Sequence, residues 1–267
     1  ESQPSRRHPQ IPVPPALYQQ ENPNWINSRG IDLDNPAELE ALMTRLIDTS
    51  RRPWKSAPMV AGKWMEAKAG DIQNPANTDA VIGRVVEASE SNIEQALQTA
   101  SACHHDWDRL GVEHRAQCLE RAATLLEQHC EELMGLIVAE AGRSIPDALS
   151  ELREAVDFCR YYAQQARVVF ATQTLPGPTG EVNLLSMHGR GVFLCISPWN
   201  FPLAIFTGQI AAALVTGNSV IAKPAEQTPL IAARAITLLH EAGVPTGVLQ
   251  LLPGDGATVG GKLVDDP

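Results

Sequence analysis

Two apolar runs, 191–196 and 219–222, each stop abruptly in polar residues held by proline. The first ends in Ser197-Pro198-Trp199-Asn200-Phe201-Pro202, the second in Lys223-Pro224-Ala225-Glu226. Short apolar runs bounded by such breakers read as buried strands. Proline lacks a backbone N–H and has a fixed φ, so it ends a ladder and pins the chain beyond it. Two strands of this kind deliver their polar ends to one edge of a sheet. In open α/β sheets that edge is where ligands bind.

The surrounding pattern supports this. Strands at 191–197, 218–223 and 247–252 alternate with helices at 202–215 and 228–242, which predicts a parallel sheet with crossover helices. Upstream, Asn35 caps a helix with Pro36 at its first position, and Leu39, Leu42, Met43, Leu46 and Ile47 form its apolar stripe. Strand-like pieces follow over 58–86. Three helices come next: one from Ser91 with Glu94 completing a capping box, one long helix from Gly111 to Ala141 closed by Gly142, and one from Asp147 to about Phe170. Residues 173–190, with Pro176, Gly177, Pro178 and Gly180, read as a loop or hairpin. Prolines at 4, 9, 12, 14, 15 and 23 mark a linker-like start.

Composition narrows the function. A net charge of −10 argues against gripping a phosphate backbone. No apolar run approaches the roughly 20 residues of a membrane-spanning helix. The five cysteines form no Cys-x-x-Cys pair, so reduced thiols in a cytoplasmic protein are expected. Cys103-His104-His105-Asp106 and the His114/Cys118 pair carry metal-ligating types, but without further spaced ligands they do not make a closed site. No metal is expected.

The stretch 197–214, with Asn27-Ser28-Arg29-Gly30-Ile31-Asp32-Leu33 and Asn74-Pro75-Ala76 upstream, resembles the NAD(P)-dependent aldehyde dehydrogenase superfamily. Within it, the chain is similar to the pyrroline-5-carboxylate dehydrogenase half of the bifunctional proline utilization A family. The resemblance implies the N-terminal part of an aldehyde dehydrogenase fold, a Rossmann-like parallel sheet with helices on both faces. It divides the chain into a linker over 1–34, a helical connection over 35–73, and the start of the NAD-binding domain over 74–267. It also implies that the chain is an internal piece of a longer cytoplasmic, homo-oligomeric enzyme, with a peripheral place at the inner membrane as the alternative location of the parent. The parent would carry an FAD-dependent proline dehydrogenase upstream, and in some members a DNA-binding domain before that.

Residue by residue, the resemblance makes Asn200 the donor to the oxyanion formed when a thiolate attacks an aldehyde. Read from local sequence alone, a cap for the helix that follows is the favoured role of Asn200. Lys223 and Glu226 are assigned to the adenosine ribose, and a carboxylate there suits NAD better than NADP; a plain exposed ion pair is the competing reading. Ile196, Ser197, Pro198 and Trp199 would line the cofactor, although Trp199 could simply fill core. Gly256, Ala257 and Gly261 would line the adenine pocket. Their loop is not a dinucleotide fingerprint, because Gly260 falls one residue too late, and an ordinary turn competes. The implied substrate is glutamate γ-semialdehyde and the product glutamate. Competing classes are a monofunctional aldehyde dehydrogenase of other specificity and a non-catalytic nucleotide-binding homologue. The family's nucleophilic cysteine, water-activating glutamate and Gly-Ser-Thr-Glu turn have no counterpart in 1–267. The purified chain is therefore expected to show no aldehyde-dependent NADH formation, and any measurable turnover contradicts that expectation.

Overall fold

The computed structural model describes residues 10–12, 16–17, 25–50 and 52–266. The linker expected over 1–34 falls mainly on residues outside that set. Helix α1 spans Pro36–Ser50, and the Asn35 Oδ1 accepts the Ala37 N–H at 3.1 Å, as its capping role requires. Of its predicted stripe, Leu42 and Leu46 are buried while Met43 and Ile47 are exposed.

Strands β1 (Trp54–Ser56), β4 (Gly70–Asn74) and β5 (Asn77–Val85) form a small sheet in the order β1-β5-β4. The main sheet contains β2 (Met59–Val60), β3 (Lys63–Trp64), β8 (Val192–Ile196), β9 (Ser219–Lys223) and β10 (Leu249–Leu251), ordered β3-β2-β10-β9-β8. The three long-predicted strands are parallel, but β2 pairs antiparallel with β10, so the sheet is mixed. Gln250 secures that junction: wholly buried, it accepts the Ala61 N–H at 2.7 Å and donates to the Thr246 carbonyl at 3.0 Å. A hairpin of β6 (Gln173–Leu175) and β7 (Asn183–Leu185) stands apart.

The helices are α2 (Glu90–Arg109), α3 (Gly111–Gln128), α4 (Cys130–Ala141), α5 (Ile145–Val169), α6 (Ala204–Val215), α7 (Pro229–Glu241) and the short α8 (Gly261–Val264). Alternation along β9 shows that helices cover both faces. Val220 and Ala222 join the large cluster containing α6 and α7, whereas Ile221 joins Ile93, Ala96 and Ala100 of α2. Successive strand residues point to opposite faces, so α2 lies on one side and α6–α7 on the other.

Three local expectations need correction. The helix predicted over 111–141 is two helices meeting at His129 (φ −102°, ψ 23°). Backbone bonds run through the break, from the His129 N–H to Leu125 and from Leu133 to His129. The bend lets Glu132 meet Arg234 of α7, which also contacts the His129 ring; apolar periodicity is blind to such a polar anchor. The cap of α2 is Ser89, not Ser91, and Asn92 replaces Glu94 in the capping box. Asn92 sits three residues past Ser89, the spacing that brings its carboxamide back to the cap N–H. Finally, β8 is not buried like β9: it is the terminal strand, with Phe193 42% and Ile196 43% exposed.

Two buried glutamates start the crossover helices. Leu203 and Thr228, at the N-cap positions of α6 and α7, provide no side-chain cap. Instead Glu151 of α5 accepts the Leu203 and Ala204 N–H groups at 2.7 and 3.2 Å. Glu140 of α4 accepts those of Leu230 and Ile231 at 2.7 and 2.9 Å. Burial pushes the Glu140 carboxyl up to about 8 against the opposing pull of those two N–H groups. Glu140→Leu strands both buried donors and should lower unfolding free energy by about 3 kcal/mol in urea titrations. Glu140→Gln imitates the protonated acid. A folded carboxyl held above its ordinary 4.5 loses stability as it ionises, so wild type should fall relative to Glu140→Gln as pH rises from 4.5 toward about 8.

Candidate active site

Parallel pairing places Ile196 opposite Lys223, and the Ser197 N–H donates to the Lys223 carbonyl at 3.2 Å. The two proline-pinned segments therefore leave the same sheet edge side by side. The loop after β10 joins them. Its Gly256–Gly260 stretch is a π-helical turn running into α8, with Asp255 capping it by accepting the Thr258 N–H and hydroxyl. A Cβ on Gly260 would lie 3.4 Å from the Lys223 Cε, an ordinary van der Waals contact, so the turn packs directly against the lysine stem. Gly256 and Gly261 instead face open space, and Ala257 is exposed.

Lys223 is the most constrained group here. It is only 4% exposed, yet its ammonium donates to a single protein acceptor, the Pro224 carbonyl at 3.0 Å. An ammonium has three donors. Burial pulls its pKa down, while Glu226, Asp255 and Glu87 pull it up. Among the described residues none of these carboxylates forms an ion pair with it, which sets aside the exposed ion-pair reading. Glu226 is exposed and accepts from the Gln227 amide at 3.0 Å. Nearby, the Ser197 hydroxyl is buried without a partner. The result is a cationic, donor-rich slot ringed by carboxylates, suited to a ligand bearing vicinal hydroxyls. A buried ammonium and hydroxyl beside an exposed carboxylate are the donor and acceptor types that a ribose would require.

Asn200 is exposed and its carboxamide bonds to nothing among the described residues. The helix-capping alternative is excluded, because α6 starts at Ala204 and Glu151 caps it. Trp199 is 54% exposed, so it does not fill core. Pro198 is half-buried beside it, and Ile196 lines a surface groove of about 620 Å³ along β8. Phe201 carries the guanidinium of Arg143 over its ring at 4.9 Å.

The thiols are quiet. Burial pushes Cys159 and Cys195 up to about 12, Cys130 up to about 11, and Cys118 upward as well. No group of three metal-ligating side chains occurs among the described residues. His104 and His105 contact each other through their rings, and His188 binds Asp108 and Ser186.

Sequence reasoning missed Glu151, Glu140 and Arg143. A signal existed for the first: Glu151 interrupts the buried face of α5 between Ala148 and Leu152. A carboxyl on an apolar stripe needs donors from another element.

The sheet carries helices on both faces, and its two proline-pinned strand ends leave one edge beside an under-bonded buried lysine. The chain belongs to the aldehyde dehydrogenase family, whose pattern matches residues 64–267. It is 47% identical to the bifunctional protein PutA of Salmonella typhimurium over 259 residues, 97% of this chain and 18% of that protein. A solved proline utilization A from Bdellovibrio bacteriovorus, inactivated by N-propargylglycine, superposes with TM-score 0.87 at 32% identity, covering 96% of this chain and 26% of that one. The 1-pyrroline-5-carboxylate dehydrogenase from Thermus with bound NAD gives TM-score 0.83 at 31% identity, covering 91% of this chain and 48% of that one. The chain thus spans less than a fifth of the Salmonella protein's length.

Keeping an unpaired ammonium buried costs stability. Lys223→Met, which keeps the stem and removes the charge, should raise unfolding free energy by about 1 kcal/mol in denaturant titrations.

Proposed function

We propose that this chain is the front part of an NAD-dependent dehydrogenase that oxidises glutamate γ-semialdehyde to glutamate, within a bifunctional proline-oxidising enzyme. The observation that carries the reading is the in-register pairing of Ile196 with Lys223. It sets the oxyanion-type segment and the ribose-type segment on one edge. NAD supplies the hydride acceptor when bound. Lys223 donates to the ribose, Glu226 accepts from its hydroxyls, and Ser197 offers a further hydroxyl. Ile196, Pro198 and Trp199 bound the cofactor, with Gly256, Ala257 and Gly261 giving its adenine room. Asn200 donates to the aldehyde oxygen as it gains charge, a contribution that grows toward the transition state. The attacking thiolate is none of Cys118, Cys130, Cys159 or Cys195, whose burial keeps them protonated.

The same reading places an FAD-dependent proline dehydrogenase elsewhere in the parent polypeptide and the whole in the cytoplasm. Among the described residues no helix is long and apolar enough to cross a membrane. A homo-oligomer is part of the proposal. It is supported by the β6–β7 hairpin, whose Val182, Leu184 and Leu185 are 80, 61 and 46% exposed, an unusual apolar load for a free surface.

Titration of NAD and NADP, followed through the exposed Trp199, tests the cofactor assignment. NAD should bind more tightly than NADP, and Glu226→Gln should narrow the gap by weakening NAD and relieving repulsion of the 2′-phosphate. In the full-length enzyme, Asn200→Ala should lower kcat by about 10²- to 10³-fold with NAD affinity unchanged. Equal loss of NAD binding would sink the oxyanion role.

A further inference from the structure

Away from the sheet edge, a cavity of about 490 Å³ lies between α1, the chain leading into it, and α3–α5. That volume is typical of small-molecule pockets. Its floor is apolar: Leu149, Leu152 and Val156 of α5 face Ile31, Ala37 and Ala41. Leu149, Leu152 and Val156 are buried on the α5 side, while Ala37 and Ala41 of α1 are exposed.

The rim is charged, and its partners are unevenly shared. Glu131 pairs with Arg45 at 2.9 Å. Glu127 accepts two bonds from Arg160, at 3.1 and 2.9 Å, and the Arg29 backbone N–H at 2.8 Å. Glu38 accepts from the Asn35 amide and the Asp32 N–H. Every carboxylate of the wall is thus engaged. Of the wall's cations, Arg45 is paired in this way, but Arg29 and Arg153 are not. Among the described residues the Arg29 guanidinium has no partner, and Arg153 reaches only the Ser28 hydroxyl at 3.4 Å. A Cβ on Gly30 would stand 3.9 Å from the Arg153 Cζ, so the Arg153 head sits against the residue next to Arg29. Two guanidiniums without a carboxylate partner among the described residues therefore share one rim above an apolar floor. Guanidinium forks match carboxylate oxygens.

We propose that this cavity binds a small monocarboxylate with a short aliphatic chain, the acid held by Arg153 and Arg29 and the chain resting on α5. Half of the wall, residues 28–45, precedes the stretch 64–267 that matches the family. The ligand would therefore bridge the preceding segment and the family's own fold, and its binding would stiffen that junction. The site stands independently of the dehydrogenase reading.

Hexanoate, with hexanamide as its neutral twin, tests this by calorimetric titration and by the shift of the thermal midpoint of the full chain. Hexanoate should bind saturably and raise the midpoint, with hexanamide at least about tenfold weaker. Arg29 and Arg153 are exposed and form no ion pair, so Arg29→Gln/Arg153→Gln should fold normally. That double variant should weaken hexanoate about tenfold while leaving hexanamide unchanged. Ala41→Phe, which fills the floor, should exclude both. The proposal is overturned if hexanoate fails to saturate, if hexanamide binds equally well, or if the double variant retains wild-type affinity.

Discussion

Each crossover helix of the sheet begins on a glutamate that belongs to a different helix. Glu151 and Glu140 reach from α5 and α4 into the N-termini of α6 and α7, where the local residues Leu203 and Thr228 supply no cap. Opposing effects meet at these contacts. Burial disfavours the charged carboxyl, while the N–H groups and the positive end of each helix favour it. The balance fixes where each helix starts, and therefore where the polar segment before it can lie. Glu151 meets the chain three residues after Asn200. The course of the Asn200 segment thus rests on the helical layer as much as on the sheet.

The second dependence is the buried lysine. Its surroundings offer one carbonyl and three carboxylates that stand off without pairing. A buried ammonium left with one acceptor is costly, and that cost sets Lys223 apart from the rest of its fully buried strand. Gly260 completes the arrangement by packing its turn against the lysine stem.

The segment ahead of the family's fold is tied down by polar contacts rather than by burial alone. The Ser28 backbone N–H and hydroxyl both donate to Asp157 of α5, at 2.9 and 2.8 Å, and α1 packs against α4. The docking leaves a cavity between the two, because the short chain from Gly30 to Ala41 presents small residues to α5. Junctions of this kind are where ligand sites commonly form.

By itself the sequence determined what depends on local order along the chain. The strand–helix alternation after Gly191, the Asn35 cap, the αL stop at Gly142 (φ 65°) and the hairpin at 173–185 were legible because each is set by neighbouring residues. The family motif also named Asn200, Lys223 and Glu226 as candidates. Only the tertiary structure decided the rest. The bend at His129 serves a partner a hundred residues away in α7, and the antiparallel β2 joins the sheet through Gln250, distant in sequence. That Trp199 is exposed, that Asn200 does not cap α6, and that Lys223 forms no ion pair among the described residues are facts about neighbours from other elements. Such relations arise from long-range packing and desolvation, which no residue carries in its local order.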